Sequence, residues 1–184
     1  LQLRWEVFAL DAAEAVEGWL SLDPRPTLAF NDHFSMLLDP EMAHRQSVAD
    51  YAKRAGISVA DYDTLTKRTV ARKDEAPDMI KRLTPAAAAV GAPCLAHDEK
   101  SAEVRRANRE LGISISEFPV TRDAAEEAVK AGEVTILGAP NVVRGGSHVG
   151  ALNAEPAAED GICTALASDY FYPSQIQAAA RMLD

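Results

Sequence analysis

Cysteine, positive charge and long apolar runs are all scarce in this sequence. Its two cysteines cannot form a disulfide framework, so a reducing compartment such as the cytoplasm is expected. No apolar run approaches the roughly 18 residues that a membrane helix needs, so neither a membrane-spanning helix nor a membrane partner is expected. Lysine and arginine number 19 against 28 acidic residues, and the net charge of −9 argues against a nucleic-acid-binding surface.

The 184 residues have the composition of one globular domain, with 47% hydrophobic and 26% charged residues. Apolar segments alternate along the chain with amphipathic ones. Such alternation predicts the α/β class, a parallel β-sheet with helices outside it. Strands are predicted near residues 1–7, 27–32, 93–97, 113–118, 134–139 and 164–169. Helices are predicted near residues 11–20, 41–56, 58–73, 75–90, 99–110, 121–131 and 173–183.

Two segments illustrate the local patterns behind these assignments. In the first strand the period of two directs Trp5 to one face and Arg4 and Glu6 to the other. In the helix at 121–131, Thr121 is the expected N-terminal cap and Gly132 the expected stop. A longer stretch, about residues 34–92, interrupts the alternation with two or three polar helices. It is interpreted as a helical insertion, either a lid over a site or an ordinary solvated one.

Acidic residues or histidines follow five of the six predicted strands. In a parallel α/β barrel the carboxyl ends of the strands converge on the active site. Carboxylates and imidazoles gathered there suit two divalent metal ions, with Zn, Mn or Fe the candidates. Asp169 is in addition the candidate base that takes a proton from the attacking water. The candidate metal ligands are Glu6, His33, His97, Glu117 and Asp169.

Each of these residues also has an ordinary structural interpretation. Glu6 could pair with Arg4, His33 could be a loop histidine, and His97 could be a neutral core histidine with a hydrogen-bond partner. Glu117 could lie in a surface turn, and Asp169 could cap the last helix. Only the tertiary structure distinguishes the two interpretations.

A glycine-rich segment, residues 138–150, is the second candidate site. Paired glycines allow backbone N–H groups to approach an anion closely, and an arginine grips phosphate with two hydrogen bonds. The segment is no Walker loop, because no Gly-Lys-Ser/Thr follows. The alternative is a glycine turn with a solvated arginine. The candidate substrate contacts are Asn141, Arg144, Gly145, Gly146, Ser147 and His148.

Taken together, several segments resemble the phosphonate-metabolism branch of the amidohydrolase superfamily. The most specific is Gly-Ala-Pro-Asn-Val-Val-Arg-Gly-Gly-Ser-His, and the order of the segments is kept along the whole chain. They are the segments 3–6, 31–33, 95–99, 115–119, 138–150 and 168–170.

The resemblance implies a metal-dependent (β/α)8 TIM barrel, of which residues 1–184 would cover about strands three to eight. It implies hydrolysis of α-D-ribose 1-methylphosphonate 5-triphosphate with release of pyrophosphate, in the carbon–phosphorus lyase pathway. Among the metal ligands, Glu6, His97 and Asp169 match the family pattern most firmly. An incomplete barrel has two open strand edges, so a longer protein or a homo-oligomer is expected to cover them.

Two other functions remain open. On the same barrel a metal centre could polarise an amide or lactam carbonyl instead of a phosphoryl group. A truncated, non-catalytic scaffold is the second alternative, because the ligands that the family carries on its first strand lie outside this sequence.

Overall fold

A computed structural model describes residues 1–35, 48–147 and 150–182. Its six strands all lie within the predicted ranges, which confirms the α/β class. Two 3-10 turns, Leu10–Ala12 and Lys73–Glu75, each precede a helix. The strands are β1 (Gln2–Glu6), β2 (Thr27–Asn31), β3 (Cys94–His97), β4 (Ile115–Glu117), β5 (Val134–Gly138) and β6 (Ala165–Ala167).

The helices occupy the connections between the strands. The described residues contain α1 (Ala13–Trp19), α2 (Val48–Ala55), α3 (Val59–Ala71), α4 (Ala76–Val90), α5 (Ala102–Glu110), α6 (Arg122–Lys130), α7 (Ala139–Arg144), α8 (Ala154–Glu159) and α9 (Ser174–Arg181). The sequence predicted every one of these except α7 and α8. The first part of the helix predicted at 41–56, residues 41–47, lies outside the described residues. No helix in the described ranges is long and apolar enough to cross a membrane.

The local signals act as the sequence predicted in α6. The Thr121 hydroxyl accepts a hydrogen bond from the backbone N–H of Ala124 and so caps the helix. Gly132 follows the helix with a φ of 75°, a left-handed conformation that favours glycine.

The six strands form one parallel sheet in the order β1-β2-β3-β4-β5-β6. Each strand pairs with the next strand along the chain, so every connection brings the chain back to the same end of the sheet. All carboxyl ends therefore lie along one edge, as the sequence analysis requires for a shared site.

One face of the sheet is apolar and covered by helices. Trp5 and Phe30 lie there edge to face, with ring centroids 5.8 Å apart, and Leu83 of α4 packs into the same cluster. A second cluster around Leu137 and Val142 covers β5 and β6. The pattern of β1 is confirmed, because Trp5 is buried whereas Arg4 and Gln2 are exposed on the opposite face.

The segment at 34–92 has two differently placed parts among its described residues. In α4, Leu83 and Ala87 are fully buried and belong to the main apolar cluster. In contrast, α3 has no buried residue. It is tied to the chain following β1 by Arg68 and Arg72, whose guanidinium groups each lie 2.7 Å from a carboxylate oxygen of Asp11.

Candidate functional site

The opposite face of the sheet carries the polar residues that end the strands. Glu6 ends β1, His97 ends β3 and Glu117 ends β4, while His33 lies two residues beyond β2. Because the strands are parallel, these four residues meet at one edge. The imidazole rings of His33 and His97 stand edge to face with their centroids 5.7 Å apart.

A glutamate holds each imidazole at its Nδ1 atom. The Nδ1 of His33 lies 2.5 Å from one carboxylate oxygen of Glu6, and the other oxygen accepts the backbone N–H of His33 at 3.2 Å. The Nδ1 of His97 lies 2.9 Å from the Glu117 carboxylate. An ionised carboxylate only accepts hydrogen bonds, so both Nδ1 atoms carry the hydrogen and both Nε2 atoms keep a lone pair. Glu6 thus pairs with His33, rather than with Arg4.

Glu117 is well buried, and its surroundings keep it ionised. Burial opposes its negative charge, but hydrogen bonds from His97 and Gln2, with the nearby charge of Arg4, outweigh that effect. Together they hold the pKa of Glu117 below its usual range. The Gln2 amide donates to both carboxylate oxygens, at 3.0 and 3.2 Å.

The two Nε2 atoms face a third group, the carboxylate of Asp98. Its Oδ2 lies 3.5 Å from the Nε2 of His97 and 3.9 Å from that of His33. One ligand atom from each residue lies within 4.8 Å of the other two. Ligands about 2.1 Å from a shared tetrahedral ion would stand roughly 3.4 Å apart, so this group comes close to the spacing of a metal site.

Asn31 supplies an independent sign that this face is built to hold a ligand. The strand register places Asn31 level with Glu6 on β1. On the other side of β2, Phe30 pairs with Ala96 of β3, so the next residue, Asn31, lies beside His97. Asn31 is only 1% exposed, and neither polar atom of its side chain has a hydrogen-bond partner among the described residues. Buried amides are normally satisfied, so a group that offers polar contacts fits here.

A cavity of about 180 Å³ opens beside His97 and Asp98. Three residues of its wall have a left-handed backbone although none is glycine: Asp98, Phe118 and Asp169, with φ between 50° and 56°. Such conformations cost of order 1–3 kcal/mol and concentrate at functional sites. The carboxylate of Asp169 is exposed and makes no hydrogen bond or ion pair with any residue in the described part of the chain.

The predicted substrate residues divide between this cavity and other roles. Asn141 and Ser147 line the cavity together with His97 and Asp169. Arg144 instead donates a hydrogen bond to the hydroxyl of Tyr170 and lies 5.9 Å from the centre of its ring. His148 lies outside the described residues.

The expected glycine loop begins as a helix, which corrects the sequence interpretation. Pro140 suits the first turn of α7, where its missing N–H costs nothing, and Gly145 ends the helix with a φ of 84°. The N–H groups of Gly145 and Gly146 bond to the carbonyls of Asn141 and Val142. In this conformation they close the end of a helix.

The chain is similar to a diphosphatase. Over 88 residues it is 42% identical to alpha-D-ribose 1-methylphosphonate 5-triphosphate diphosphatase from Escherichia coli (strain K12). The matched segment is 48% of this chain and 23% of that relative, so the chain spans about a quarter of the relative's length. No family model matches the chain, and no solved structure matches it. The partial identity agrees with the hydrolase class that the sequence suggested.

Asp98 and Asn31, like Gln2 and Arg4, belong to the site but were not named as site residues by sequence reasoning. Asp98 directly follows His97, so an acidic residue beside a strand-end histidine was the available signal. Asn31 ends β2, but nothing in its sequence context distinguishes an unpartnered amide from an ordinary one. The expectation of two metal ions stays a prediction, since the described residues contain one cluster of three ligands.

Proposed function

We propose that this chain is part of a metal-dependent phosphohydrolase. Its proposed substrate is α-D-ribose 1-methylphosphonate 5-triphosphate, from which it releases pyrophosphate. The observation that carries the proposal is the pair of glutamate-held imidazoles whose Nε2 atoms face Asp98. The sequence resemblance and the partial identity to a diphosphatase support the choice of substrate.

We further propose that the six strands belong to a (β/α)8 barrel. Side chains of β1 reach across the open face of the sheet, from Arg4 to His97 and from Gln2 to Glu117. The strand register can be followed from β1 to β4, which is three strands away. Glu117 lies four residues further along the chain than the position that is level with Gln2. A barrel of eight strands and shear 8 staggers by about one residue per strand, which is close to this offset.

His33, His97 and Asp98 are the residues that would hold a divalent ion. Imidazole nitrogen with carboxylate oxygen suits Zn, Mn or Fe. The ion would supply Lewis acidity towards a phosphoryl oxygen and lower the pKa of water. Glu6 and Glu117 act one step further out: they fix the orientation of the two rings. Glu6 and Asp169 are the candidate ligands of a second ion.

The cavity residues would bind the triphosphate and move the proton. The amide of Asn141 and the hydroxyl of Ser147 are hydrogen-bond donors suited to phosphate oxygens. Asp169, whose carboxylate has no partner in the described structure, accepts a proton from the attacking water. The water oxygen forms a bond to the phosphorus that remains on the sugar. The bond from that phosphorus to the bridging oxygen breaks, and pyrophosphate leaves.

The test is release of pyrophosphate by the 184-residue chain supplied with Zn²⁺ or Mn²⁺, followed by ³¹P NMR. Asp169→Asn is expected to abolish turnover while substrate binding survives, because the lost group acts in the chemical step. Asp160→Asn is the matched control, since Asp160 lies on the exposed surface and pairs only with Arg122 in the described structure.

Three results would contradict parts of this proposal. Turnover by Asp169→Asn at the original rate would remove Asp169 from the mechanism. Cleavage of a phosphate-free amide or lactam without cleavage of the triphosphate would favour the carbonyl chemistry. No turnover of either substrate class by the metal-loaded chain would contradict catalysis by these 184 residues on their own.

A further inference from the structure

Arg4 differs from most other arginines of the described structure in having no acidic partner. No carboxylate oxygen of the described residues lies within ion-pair distance of its guanidinium, whereas carboxylates hold many of the others. Those ion-paired arginines are Arg68, Arg72, Arg82, Arg105, Arg106, Arg109, Arg122 and Arg181.

The guanidinium of Arg4 instead bonds to His97. One of its terminal nitrogens lies 3.2 Å from the Nε2 of that ring. Guanidinium groups only donate, and Glu117 already takes the hydrogen on Nδ1, so Nε2 accepts with its lone pair. This is the lone pair that a metal ion would need. Arg4 and a metal ion therefore compete for the same atom, and their positive charges repel each other.

Arg4 also lines the cavity that holds Asn141 and Ser147. The cavity volume of about 180 Å³ compares with the roughly 10–15 Å³ that one water needs on the same measure, so a tetrahedral oxyanion fits. Arginine binds such anions with two parallel hydrogen bonds, which are stronger than one bond to a neutral imidazole. Asp98 and Asp169 lie in the same wall and oppose an anion unless a cation is bound beside them.

We propose that Arg4 couples oxyanion binding to metal binding. An oxyanion that enters the cavity takes the guanidinium of Arg4 and releases the Nε2 of His97, which is then able to bind a divalent ion. The ligand class is a tetrahedral oxyanion such as a phosphate, phosphonate or sulfate group. This inference rests on the metal ligands of the proposed function, and it adds that the two ligands bind with positive cooperativity.

The experiment measures Co²⁺ binding to the whole chain by its visible absorption, with and without sodium sulfate. Sodium chloride of equal ionic strength serves as the reference for the general effect of salt. Sulfate binds Co²⁺ only weakly in solution, so it does not compete with the protein for the ion. Sulfate is expected to tighten Co²⁺ binding at least fivefold, the lower end of usual coupling between sites. Reciprocally, Co²⁺ should tighten sulfate binding by the same factor.

Arg4→Met tests the residue itself. This variant has no donor to offer His97, so it is expected to bind Co²⁺ more tightly than the wild type without sulfate and to lose the sulfate response. Arg122→Met is the matched control. It removes the same charge from the exposed surface and should keep both the wild-type affinity and the sulfate response.

The possible outcomes separate this inference from the proposed function. Co²⁺ binding that does not change with sulfate overturns the coupling but leaves the metal site intact. The same conclusion follows if Arg4→Met and Arg122→Met behave alike. Absence of Co²⁺ binding in the wild type and in Arg4→Met, with or without sulfate, overturns the metal site and this inference together. The sulfate effect on the wild type needs no variant, so misfolding of Arg4→Met would not remove the test.

Discussion

The amide of Gln2, on the first strand, donates hydrogen bonds to both carboxylate oxygens of Glu117, on the fourth. Strands in a flat sheet are about 4.8 Å apart, so β1 and β4 would be about 14 Å apart. Glu117 also lies further along its strand, which lengthens the path. Two side chains span such a gap only if the sheet curls towards the face that carries them. The contact therefore shows a strongly curved sheet, with the candidate site on the concave side.

Gln2→Leu is expected to raise the pKa of Glu117, because the variant removes two hydrogen bonds to the ionised form. The loss should destabilise the chain by about 1 kcal/mol near neutral pH. The pKa of Glu117 is lower in the folded state than in the unfolded state, so its negative charge stabilises the fold. This stabilisation is complete above the unfolded pKa of about 4.3 and is lost as the pH falls through the folded pKa. The difference between wild type and variant should therefore shrink below about pH 4.

Urea unfolding at a series of pH values measures this difference. The control is Gln175→Leu, because the Gln175 amide donates to a neutral acceptor, the carbonyl of Leu166. Its effect should not vary over the same acidic range. A Gln2→Leu effect that is constant with pH would show that the hydrogen bonds do not act through the charge of Glu117.

Glu6→Gln is expected to weaken binding of a divalent ion by about 10- to 100-fold, as loss of a carboxylate partner of a ligating histidine does elsewhere. The carboxylate fixes both the ring and the backbone N–H of His33. Equilibrium dialysis against Zn²⁺ gives the affinity. Glu14→Gln, on the exposed side of α1, controls for the lost negative charge. Equal affinities for the two variants would mean that Glu6 does not position His33.

Arg105→Met is expected to destabilise the chain by about 3–5 kcal/mol, because it leaves a buried carboxylate without its partner. Arg105 is fully buried, and its guanidinium lies 3.2 Å from Glu99, which is 2% exposed. The neighbouring Arg106→Met removes two exposed ion pairs and should cost at most about 1 kcal/mol. Thermal unfolding compares the two variants.

The double variant Arg105→Met with Glu99→Leu checks the cause of that loss. Removing both charges should recover part of the stability, since the uncompensated carboxylate is gone. A double variant less stable than Arg105→Met alone would show that Glu99 contributes through its other bonds, to Ser116 and Asn108.

Two glycine substitutions should change stability in opposite directions. Gly145→Ala forces alanine into a φ of 84° at the end of α7, at a cost of about 1–2 kcal/mol. The cost comes from the backbone and not from a clash, because the nearest atom to the new Cβ would be 3.9 Å away. Gly18→Ala lies within α1, has open space around its Cβ and should stabilise the chain by about 0.5–1 kcal/mol. Denaturant unfolding measures both. Destabilisation by Gly18→Ala would contradict the backbone explanation.

Local patterns in the sequence were enough to predict most of the fold. The period of two in β1 placed Trp5 inside and Arg4 outside, and Thr121 marked the start of α6. Signals were weaker for α7 and α8, which have six residues each and lie within or just after the glycine-rich segment 138–150. In α7 the glycines suggested a loop, but Gly145 serves as the helix end because its left-handed φ suits that position.

The sequence by itself determined the α/β class, the positions of the strands, the face on which each side chain of β1 lies, and the acidic and histidine residues at the strand ends. These follow from residue periodicity and short-range chemistry, which act over a few positions. The tertiary structure alone decided the partners: Glu6 with His33, Glu117 with His97 and Gln2, and Arg4 with the Nε2 of His97. These residues are 20 to 115 positions apart, and only the pairing and curvature of the sheet bring them together.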